Sequence, residues 1–285
     1  MEIIIYLLII MKTRKITLII ALVFISLGLM AQDRTIKVLA IGNSFSWDAV
    51  EQNLHQIAAA DGTTMVIGNM YIGGCPIHAH VENFKADKPA YRYVKISADG
   101  TKKVTKEFRL SQAIRDEEWD YVTVQQASHF SGQPETYELL PELVAWIAQN
   151  APQAEIVFHQ TWAYQGNSTH TDFPRYGKDQ MRMYQSIMQA ERQVMKDLHI
   201  KTVVPNGTAV QNARQSSLGD NLTRDGFHLN LLYGRYLAAC TWYEVITGKR
   251  VKHNPYAPQG MTPEQILITR RAAHRAVRHP WKSSF

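Results

Sequence analysis

Short apolar runs rich in β-branched residues alternate along the chain with longer stretches of helical periodicity. Five runs have the length of buried strands, at 35–41, 64–70, 121–125, 155–159 and 202–204. Apolar positions recur at helical spacing in four stretches, at 48–60, 135–150, 176–199 and 231–247. Strand and helix in repetition predict an α/β fold, in which helices cover both faces of a five-stranded parallel sheet.

One stretch departs from this alternation. Residues 91–108 alternate polar and apolar positions in period two around Asp99-Gly100, which is typical of a β-hairpin. We therefore expect a small inserted hairpin between the second and third core strands. The tail has turn residues from about 253 and then one helical stretch at 263–278, which predicts a C-terminal helical extension.

The largest excess of apolar positions lies in residues 1–31. A start at Met11 would give a short basic segment, an apolar core and small residues before Gln32, which is the pattern of a cleavable signal peptide. We therefore expect a secreted or periplasmic protein whose mature chain, 32–285, is a single domain. No Cys follows the apolar run, so a lipoprotein anchor has no attachment point, and an uncleaved membrane anchor is the alternative.

The composition is that of an ordinary globular protein. Hydrophobic residues make up 45% and charged residues 20% of the chain, which excludes a disordered chain and a collagen-like fibre. Two cysteines, Cys75 and Cys240, are too few for a disulfide scaffold or a four-cysteine zinc site, and we expect both to be buried and unpaired. The net charge of +6 is spread along the chain, so nucleic acid is not an expected partner.

Polar and aromatic residues follow the predicted strands at the point where each strand ends. In open parallel sheets the ligand crevice lies at the carboxyl ends of the strands. The residues that come after the first four strands, and those before the helix at 231–247, are therefore the candidates for a site; they lie at 42–46, 71–75, 125–129, 159–164 and 224–229.

Ser44 and the pair Asp225-x-x-His228 are the residues best suited to nucleophilic catalysis. Ser44 comes two residues after a glycine at a strand-to-helix turn, where a hydroxyl is exposed beside a helix N-terminus. The spacing of three allows the Asp225 carboxylate to orient the His228 imidazole, which takes the serine proton. The alternative interpretation is that Ser44 or Ser46 caps the helix and that Asp225 caps the next one.

These residues resemble the motifs of the SGNH (GDSL-type) hydrolases. The resemblance rests on Gly42-Asn43-Ser44-Phe45-Ser46, on a glycine after the second strand and on Asp225-x-x-His228, and it covers about 35–250. Other blocks look like a secreted branch first catalogued as a domain of unknown function; they are Gln125-Gln126-Ala127-Ser128, His159-Gln160-Thr161-Trp162 and 225–236. The resemblance implies a flavodoxin-like three-layer α/β/α sandwich and cofactor-free ester hydrolysis. It makes Ser44 the nucleophile, His228 the general base and Asp225 its orienting acid.

The sequence departs from the superfamily at two positions. Asn43 stands where an aspartate is common, and Gln125-Gln126 replaces the block whose asparagine donates to the oxyanion. A glutamine carboxamide offers the same N–H donor, so we expect an oxyanion hole of Ser44, Gly74 and Gln125, with Gln126 as the alternate. Gly73 is the alternative to Gly74.

The residues after the fourth strand are expected to bind substrate. His159 and Gln160 suit hydroxyl groups, and Trp162 and Tyr164 suit stacking on a sugar ring. Core packing is the alternative for each of the four.

The leading hypothesis is a serine esterase that removes O-acetyl groups from carbohydrates, with a small-molecule or glycan ester as its partner and no membrane contact after signal cleavage. A non-catalytic carbohydrate-binding protein on the same fold is the alternative. A metal-dependent hydrolase is less favoured, because His78, His80 and His159 are imaginable ligands but an HExxH pattern is absent. No metal or cofactor is expected.

Overall fold

A seven-stranded sheet forms the centre of the computed structural model, which describes residues 35–285. Its strands are β1 (Ile36–Gly42), β2 (Met65–Tyr71), β3 (Tyr91–Ile96), β4 (Lys102–Phe108), β5 (Tyr121–Val124), β6 (Glu155–His159) and β7 (Thr202–Val204). Their order across the sheet is β4-β3-β2-β1-β5-β6-β7. The expected signal peptide at 1–31 lies outside the described residues.

Five of the strands are parallel, as the apolar runs predict. β1 pairs with β2 and β5, β5 with β6 and β6 with β7, so the parallel strands have the order of a flavodoxin-like fold. The expected hairpin is β3 and β4, which turns at Asp99-Gly100 and pairs antiparallel with the edge of β2. The hairpin therefore extends the same sheet, which has seven strands where five were expected.

Helices cover both faces of the sheet. They are α1 (Ser44–Val50), α2 (Leu54–Ala60), α3 (Ile77–Lys85), α4 (Leu110–Ala113), α5 (Leu140–Asn150), α6 (Gln180–Asp197), α7 (Asn206–Arg214), α8 (Tyr233–Thr247) and α9 (Pro263–Arg278). One apolar core lies between the sheet and α1, α2, α7, α8 and α9. A second core lies on the opposite face against α3, α4 and α5, and α6 contributes to both cores. This arrangement confirms the three-layer sandwich.

The helix expected over 48–60 is two helices. α1 begins four residues earlier, at Ser44, and ends where Glu51 turns inward. The Glu51 carboxylate is buried and pairs with Arg92 at 2.8 Å and Lys102 at 3.0 Å, so the chain leaves the helix to hold the β3-β4 hairpin. Its hydrogen bonds to these partners lower the pKa of Glu51 although burial acts in the opposite direction.

The carboxyl ends of four parallel strands meet along one edge of the sheet. β1 ends at Gly42, β2 at Tyr71, β5 at Val124 and β6 at His159, within a residue or two of the strand ends expected from the sequence. The loops that follow these strands therefore lie together, and the loop before α8 joins them.

Within 35–285, no helix combines the length and the apolar character needed to cross a bilayer. Cys75 and Cys240 are both free and buried, as expected. Burial raises the pKa of the Cys75 thiol to about 12, so it is a packed, unreactive side chain.

Candidate active site

Ser44 is the first residue of α1, directly after the turn that ends β1. Asn43 caps the helix, since its Oδ1 accepts from the Phe45 N–H at 3.1 Å. The Ser46 hydroxyl is buried and donates to the Asn43 carbonyl at 2.8 Å. The capping role is therefore filled by Asn43, and the half-buried Ser44 hydroxyl has no hydrogen-bond partner among residues 35–285. The Ser44 hydroxyl is therefore available to react with a substrate.

Gly42 gives this turn its shape. A Cβ atom at position 42 would lie 2.7 Å from Gln125 Oε1 and 2.8 Å from Ser46 Oγ. The glycine two residues before Ser44 therefore leaves room for the buried side chain of Gln125, which directly follows β5.

Asp225 and His228 form the expected pair. His228 Nδ1 lies 2.6 Å from Asp225 Oδ2, and Asp225 Oδ1 accepts from the His228 backbone N–H at 2.8 Å. Gly226 turns the loop with a φ of 92°, and a Cβ there would lie 3.0 Å from the Ser168 backbone. The bond at Nδ1 fixes the tautomer and leaves Nε2 as the free nitrogen of His228.

A buried tryptophan contacts both the turn that carries Ser44 and the loop that carries His228. The Trp162 ring stacks on Phe45 with centroids 3.8 Å apart, and its Nε1 donates to the Phe227 carbonyl at 2.7 Å. The His228 ring lies edge-on to Phe45, with centroids 6.3 Å apart. Since Phe45 directly follows Ser44, these contacts place the turn that carries Ser44 near the loop that carries Asp225 and His228.

Asp48 ties the same two segments together from α1. Its side chain is fully buried, and Oδ2 accepts from the Leu229 N–H at 2.8 Å. Arg235 on α8 donates to Oδ1 at 2.8 Å, and Arg224 donates to the same oxygen at 3.1 Å. A carboxylate one helical turn from Ser44 therefore anchors the loop that carries His228. The sequence offered a signal for it, since positions four apart share a helix face.

Replacing Asp48 with asparagine is expected to lower both the stability of the protein and its turnover. The asparagine amide would place an N–H group against the donors that now bind the carboxylate, and the two arginines would lose their negative partner. Breaking such a pair costs about 3 kcal/mol, or about 6 to 12 °C in Tm. We expect kcat to fall about tenfold, because the loop that orients His228 loses its anchor. Thermal melts and kcat well below Tm measure both effects.

The matched control is Asp197→Asn, which removes an exposed carboxylate on α6 that is bonded to Gln193. This variant should match the unmodified protein in Tm and kcat. If Asp48→Asn kept full kcat while folded, Asp48 would have no part in positioning His228.

Two of the residues expected in an oxyanion hole, Ser44 and Gly74, have backbone N–H groups without a partner within 35–285. Gly74 has a φ of 62° in an exposed turn, and this turn is held to the nucleophile by the Asn43 amide, which donates to the Cys75 carbonyl at 3.1 Å. Unsatisfied donors at a helix N-terminus beside a nucleophile suit a developing negative oxygen.

The two glutamines are held beneath the site. Gln125 is buried, and its Nε2 donates to Asn43 Oδ1 at 2.9 Å while its Oε1 lies 2.8 Å from His159 Nδ1. Gln126 donates from Nε2 to the Thr136 carbonyl at 2.8 Å and to the Thr136 hydroxyl at 3.1 Å. The expected alternate role of Gln126 is therefore wrong, because its amide is committed to Thr136. For Gln125 the geometry favours support of Asn43 over donation to an oxyanion.

The four residues expected to bind substrate are fully buried, so that expectation is wrong. Trp162 packs against Phe45 as described, and the Tyr164 hydroxyl lies 2.9 Å from Ser128 Oγ. Gln160 Oε1 accepts from the Thr208 N–H at 2.8 Å. His159 completes the network below Asn43, and burial lowers its pKa to about 3, so it is neutral. All four side chains pack in the interior and support the loops of the site.

The rings that line the site come from other positions. Phe227 packs on the His228 ring, His170 packs on Phe227 and His129 lies next to His170, and all three are partly exposed. Trp47 and Tyr71 pack edge to face, and Tyr71 lies three residues before Gly74. Phe227 and His129 belong to two of the segments that the sequence marked as candidates for a site, 224–229 and 125–129. His170 gave no such signal, because it lies in a long loop whose path depends on tertiary packing.

No cluster of three or more His, Cys, Asp or Glu side chains able to hold a metal occurs within 35–285. Of the imaginable histidine ligands, His80 is buried with its Nδ1 2.8 Å from the Tyr91 hydroxyl, and burial lowers its pKa to about 3.

The fold is similar to that of solved SGNH (GDSL-type) hydrolases. A candidate SGNH hydrolase from Slackia heliotrinireducens has 20% identity and a TM-score of 0.52, covering 75% of this chain and 100% of that chain. A candidate GDSL-like lipase from Parabacteroides merdae has 16% identity and a TM-score of 0.50, covering 75% of this chain and 96% of that chain. At these identities the likeness concerns the fold.

The chain belongs to the DUF4886 family, a domain of unknown function, whose family model matches residues 37–276. The crystal structure of a DUF4886 family protein from Bacteroides uniformis is 49% identical to it. The superposition has a TM-score of 0.87 and covers 88% of this chain and 98% of the Bacteroides uniformis chain. No curated protein matches the sequence. The resemblance to an SGNH branch first catalogued as a domain of unknown function is confirmed.

Proposed function

We propose that this protein is a serine ester hydrolase with Ser44 as nucleophile. The observation that carries this proposal is the 2.6 Å bond between His228 Nδ1 and Asp225 Oδ2, beside an unpartnered serine hydroxyl. This bond keeps a proton on Nδ1 and leaves Nε2 to accept the Ser44 proton. The backbone N–H groups of Ser44 and Gly74 then donate hydrogen bonds to the oxyanion of the tetrahedral intermediate.

In the reaction, Ser44 Oγ attacks the ester carbonyl carbon while its proton moves to His228 Nε2. The imidazolium then gives this proton to the alcohol oxygen as the ester C–O bond breaks, which leaves an acyl group on Ser44. Water attacks the acyl group, with His228 again as base, and releases the acid. Asp225 stays ionised, because hydrogen bonds from His228 and Phe227 outweigh burial and lower its pKa.

The asparagine at position 43 supports activity here. Its Oδ1 accepts from Phe45 N–H and from Gln125, while its Nδ2 donates to the Cys75 carbonyl at 3.1 Å. An aspartate could not make that donation. The departure from the superfamily at position 43 therefore has a structural use, since Asn43 fixes the turn that contains Gly74 against the start of α1.

We propose an O-acetyl group on a carbohydrate as the scissile ester. Its support is the resemblance to a secreted SGNH branch and the shape of the site near Gly74. Trp47, one turn after Ser44, packs edge to face on Tyr71 with centroids 5.6 Å apart. The Tyr71 hydroxyl lies 3.3 Å from where a Cβ of Gly73 would stand. We propose that the acyl group of the substrate lies against these two rings, whose packing favours a short acyl group over a long chain.

Acetate release tests this function. The protein should release acetate from acetylated xylan and cleave 4-nitrophenyl acetate at least about tenfold faster than 4-nitrophenyl decanoate. Turnover should persist in a chelator, which separates the serine mechanism from a metal-dependent hydrolase. A protein that binds acetylated xylan without releasing acetate would be a carbohydrate-binding protein instead.

We also propose that the protein is exported, with residues 1–31 removed. The support is the apolar segment after the basic residues at 12–15. The mass of protein recovered from the periplasm or medium should correspond to a chain that begins at Gln32. Recovery of the full-length chain in the membrane fraction would identify the segment as an anchor.

A further inference from the structure

Three side chains continue from His228 as a series of ring contacts. The Phe227 ring centroid lies 4.0 Å from that of His228, His170 lies 4.7 Å from Phe227, and His129 lies 6.2 Å from His170. They come from three loops, which follow β5, follow β6 and precede α8. We refer to Phe227, His170 and His129 as the ring face.

The ring face is accessible and rests on a packed base. All three residues are partly exposed, and 20% of the His170 side chain is open to solvent. Beneath them lies the fully buried Tyr164, whose ring centroid is 4.6 Å from His170 and 5.7 Å from Phe227. A ligand on this face therefore meets rings that are already in place, which lowers the entropic cost of binding.

The chemistry at His228 decides which part of an ester lies on the ring face. The carbonyl oxygen must lie at the N–H groups of Ser44 and Gly74, and the alcohol oxygen must receive its proton from His228 Nε2. The alcohol part therefore leaves the site on the side of His228, where Phe227 and His170 are the next side chains.

The ring face offers uncharged polar atoms as well as ring planes. His170 Nδ1 accepts from the Asp172 N–H at 3.2 Å, so the neutral ring carries its hydrogen on Nε2 and can donate it to a hydroxyl group. Burial lowers the pKa of His170, and burial also lowers the pKa of His129. Both rings are therefore neutral at neutral pH, which suits an uncharged ligand with hydroxyl groups.

We propose that the ring face is the binding site for the alcohol part of the substrate and that this part is a neutral sugar ring. The inference rests on the proposed ester hydrolysis at Ser44 and adds the binding site of the leaving group and the absence of charge on its sugar ring. His170 contributes a ring plane and an N–H donor, and His129 and Phe227 extend the surface.

The test compares esters that share the acetyl group and differ in the alcohol. The substrates are methyl acetate, cyclohexyl acetate and a methyl xylopyranoside that carries one O-acetyl group. In His170→Ala, the ratio of kcat/KM for the sugar acetate to that for methyl acetate should fall about tenfold or more, because stacking and one hydrogen bond are lost together. His170→Phe keeps a ring and should lose less. His253→Ala, an exposed histidine elsewhere, should keep the original ratio.

The outcomes separate the inference from the function on which it rests. An unchanged ratio in folded His170→Ala, with the wild-type Tm, would overturn the ring face as a binding site. An equal loss on cyclohexyl acetate and on the sugar acetate would overturn the sugar in favour of an apolar alcohol. If the unmodified protein hydrolysed none of the three esters and did not react with a fluorophosphonate, the proposed hydrolase function would itself fail.

Discussion

Replacing Ser44 with alanine is expected to reduce ester hydrolysis to background, a loss of about 10⁴ to 10⁶ in kcat. The hydroxyl removed is the proposed nucleophile, and the neighbouring Ser46 hydroxyl is buried and already hydrogen-bonded. The fold should be retained, because Asn43 caps α1 and the Ser44 side chain has no hydrogen-bond partner within 35–285. Initial rates on 4-nitrophenyl acetate and the thermal melting curve measure the two properties.

Three further variants make this prediction specific. His228→Ala should lose a comparable factor, and the Ser44/His228 double variant should be scarcely worse than either single change, since the two residues act as one unit. Ser46→Ala is the matched control two residues along α1. The Ser46 hydroxyl is buried and bonded to Asn69 Oδ1 and the Asn43 carbonyl, both at 2.8 Å. Its removal should lower Tm but keep kcat within about tenfold. Near-normal rates in Ser44→Ala would refute the serine mechanism.

Asp225→Asn is expected to lower kcat by about 10² to 10⁴. The asparagine can present an N–H to His228 Nδ1, which favours the tautomer with the hydrogen on Nε2, where the base must be free. The loss should be smaller than in Ser44→Ala, because the nucleophile and the oxyanion donors remain. The Asp225 side chain is 40% exposed, so a small effect on Tm is expected. Steady-state kinetics measure the change in kcat, and a thermal melting curve measures the change in Tm.

If Asp225→Asn retained wild-type kcat, His228 would be oriented by other contacts, and the Asp-x-x-His spacing would be only a turn motif. If the variant lost kcat and also unfolded, Asp225→Glu would separate the roles. Glutamate keeps the charge but not the position, so it should restore stability more than turnover.

The sequence predicted the parallel core well because its signal is local. The apolar runs at 155–159 and 202–204 coincide with β6 and β7, and the tail helix coincides with Pro263–Arg278. The hairpin was also predicted, from period two and a single turn. Its pairing with β2 was not, because an edge contact between strands has no signature in either strand alone.

The short helices were harder to predict. α3 and α7 each have 9 residues and lie between strands in segments with few helical repeats. The break between α1 and α2 also went unpredicted; it lies at Glu51, which forms a long-range ion pair with the hairpin. A helix-spaced pattern continues across that break, so the sequence alone favours one helix.

The contact between Asp225 and His228 was predicted from their spacing and is confirmed by the structure, while the catalytic roles stay predictions. The expected substrate residues were predicted wrongly. The polar residues after β6 were expected to face the crevice because they follow a strand. The structure turns them inward, because Trp162 stacks on Phe45 and Tyr164 supports His170. The direction of a loop side chain depends on such distant partners. For the same reason Asp48, which contacts three segments, was not recognised as the anchor of the His228 loop.

The most direct test of the central claim is the reaction of the purified protein with a fluorophosphonate, followed by peptide mass spectrometry. An activated serine should be modified once, at Ser44, with loss of acetate release in the same proportion. His228→Ala should react far more slowly, because the hydroxyl is no longer deprotonated by a base. Ser44 left unmodified in protein that still releases acetate, or an adduct confined to another residue, would contradict the account.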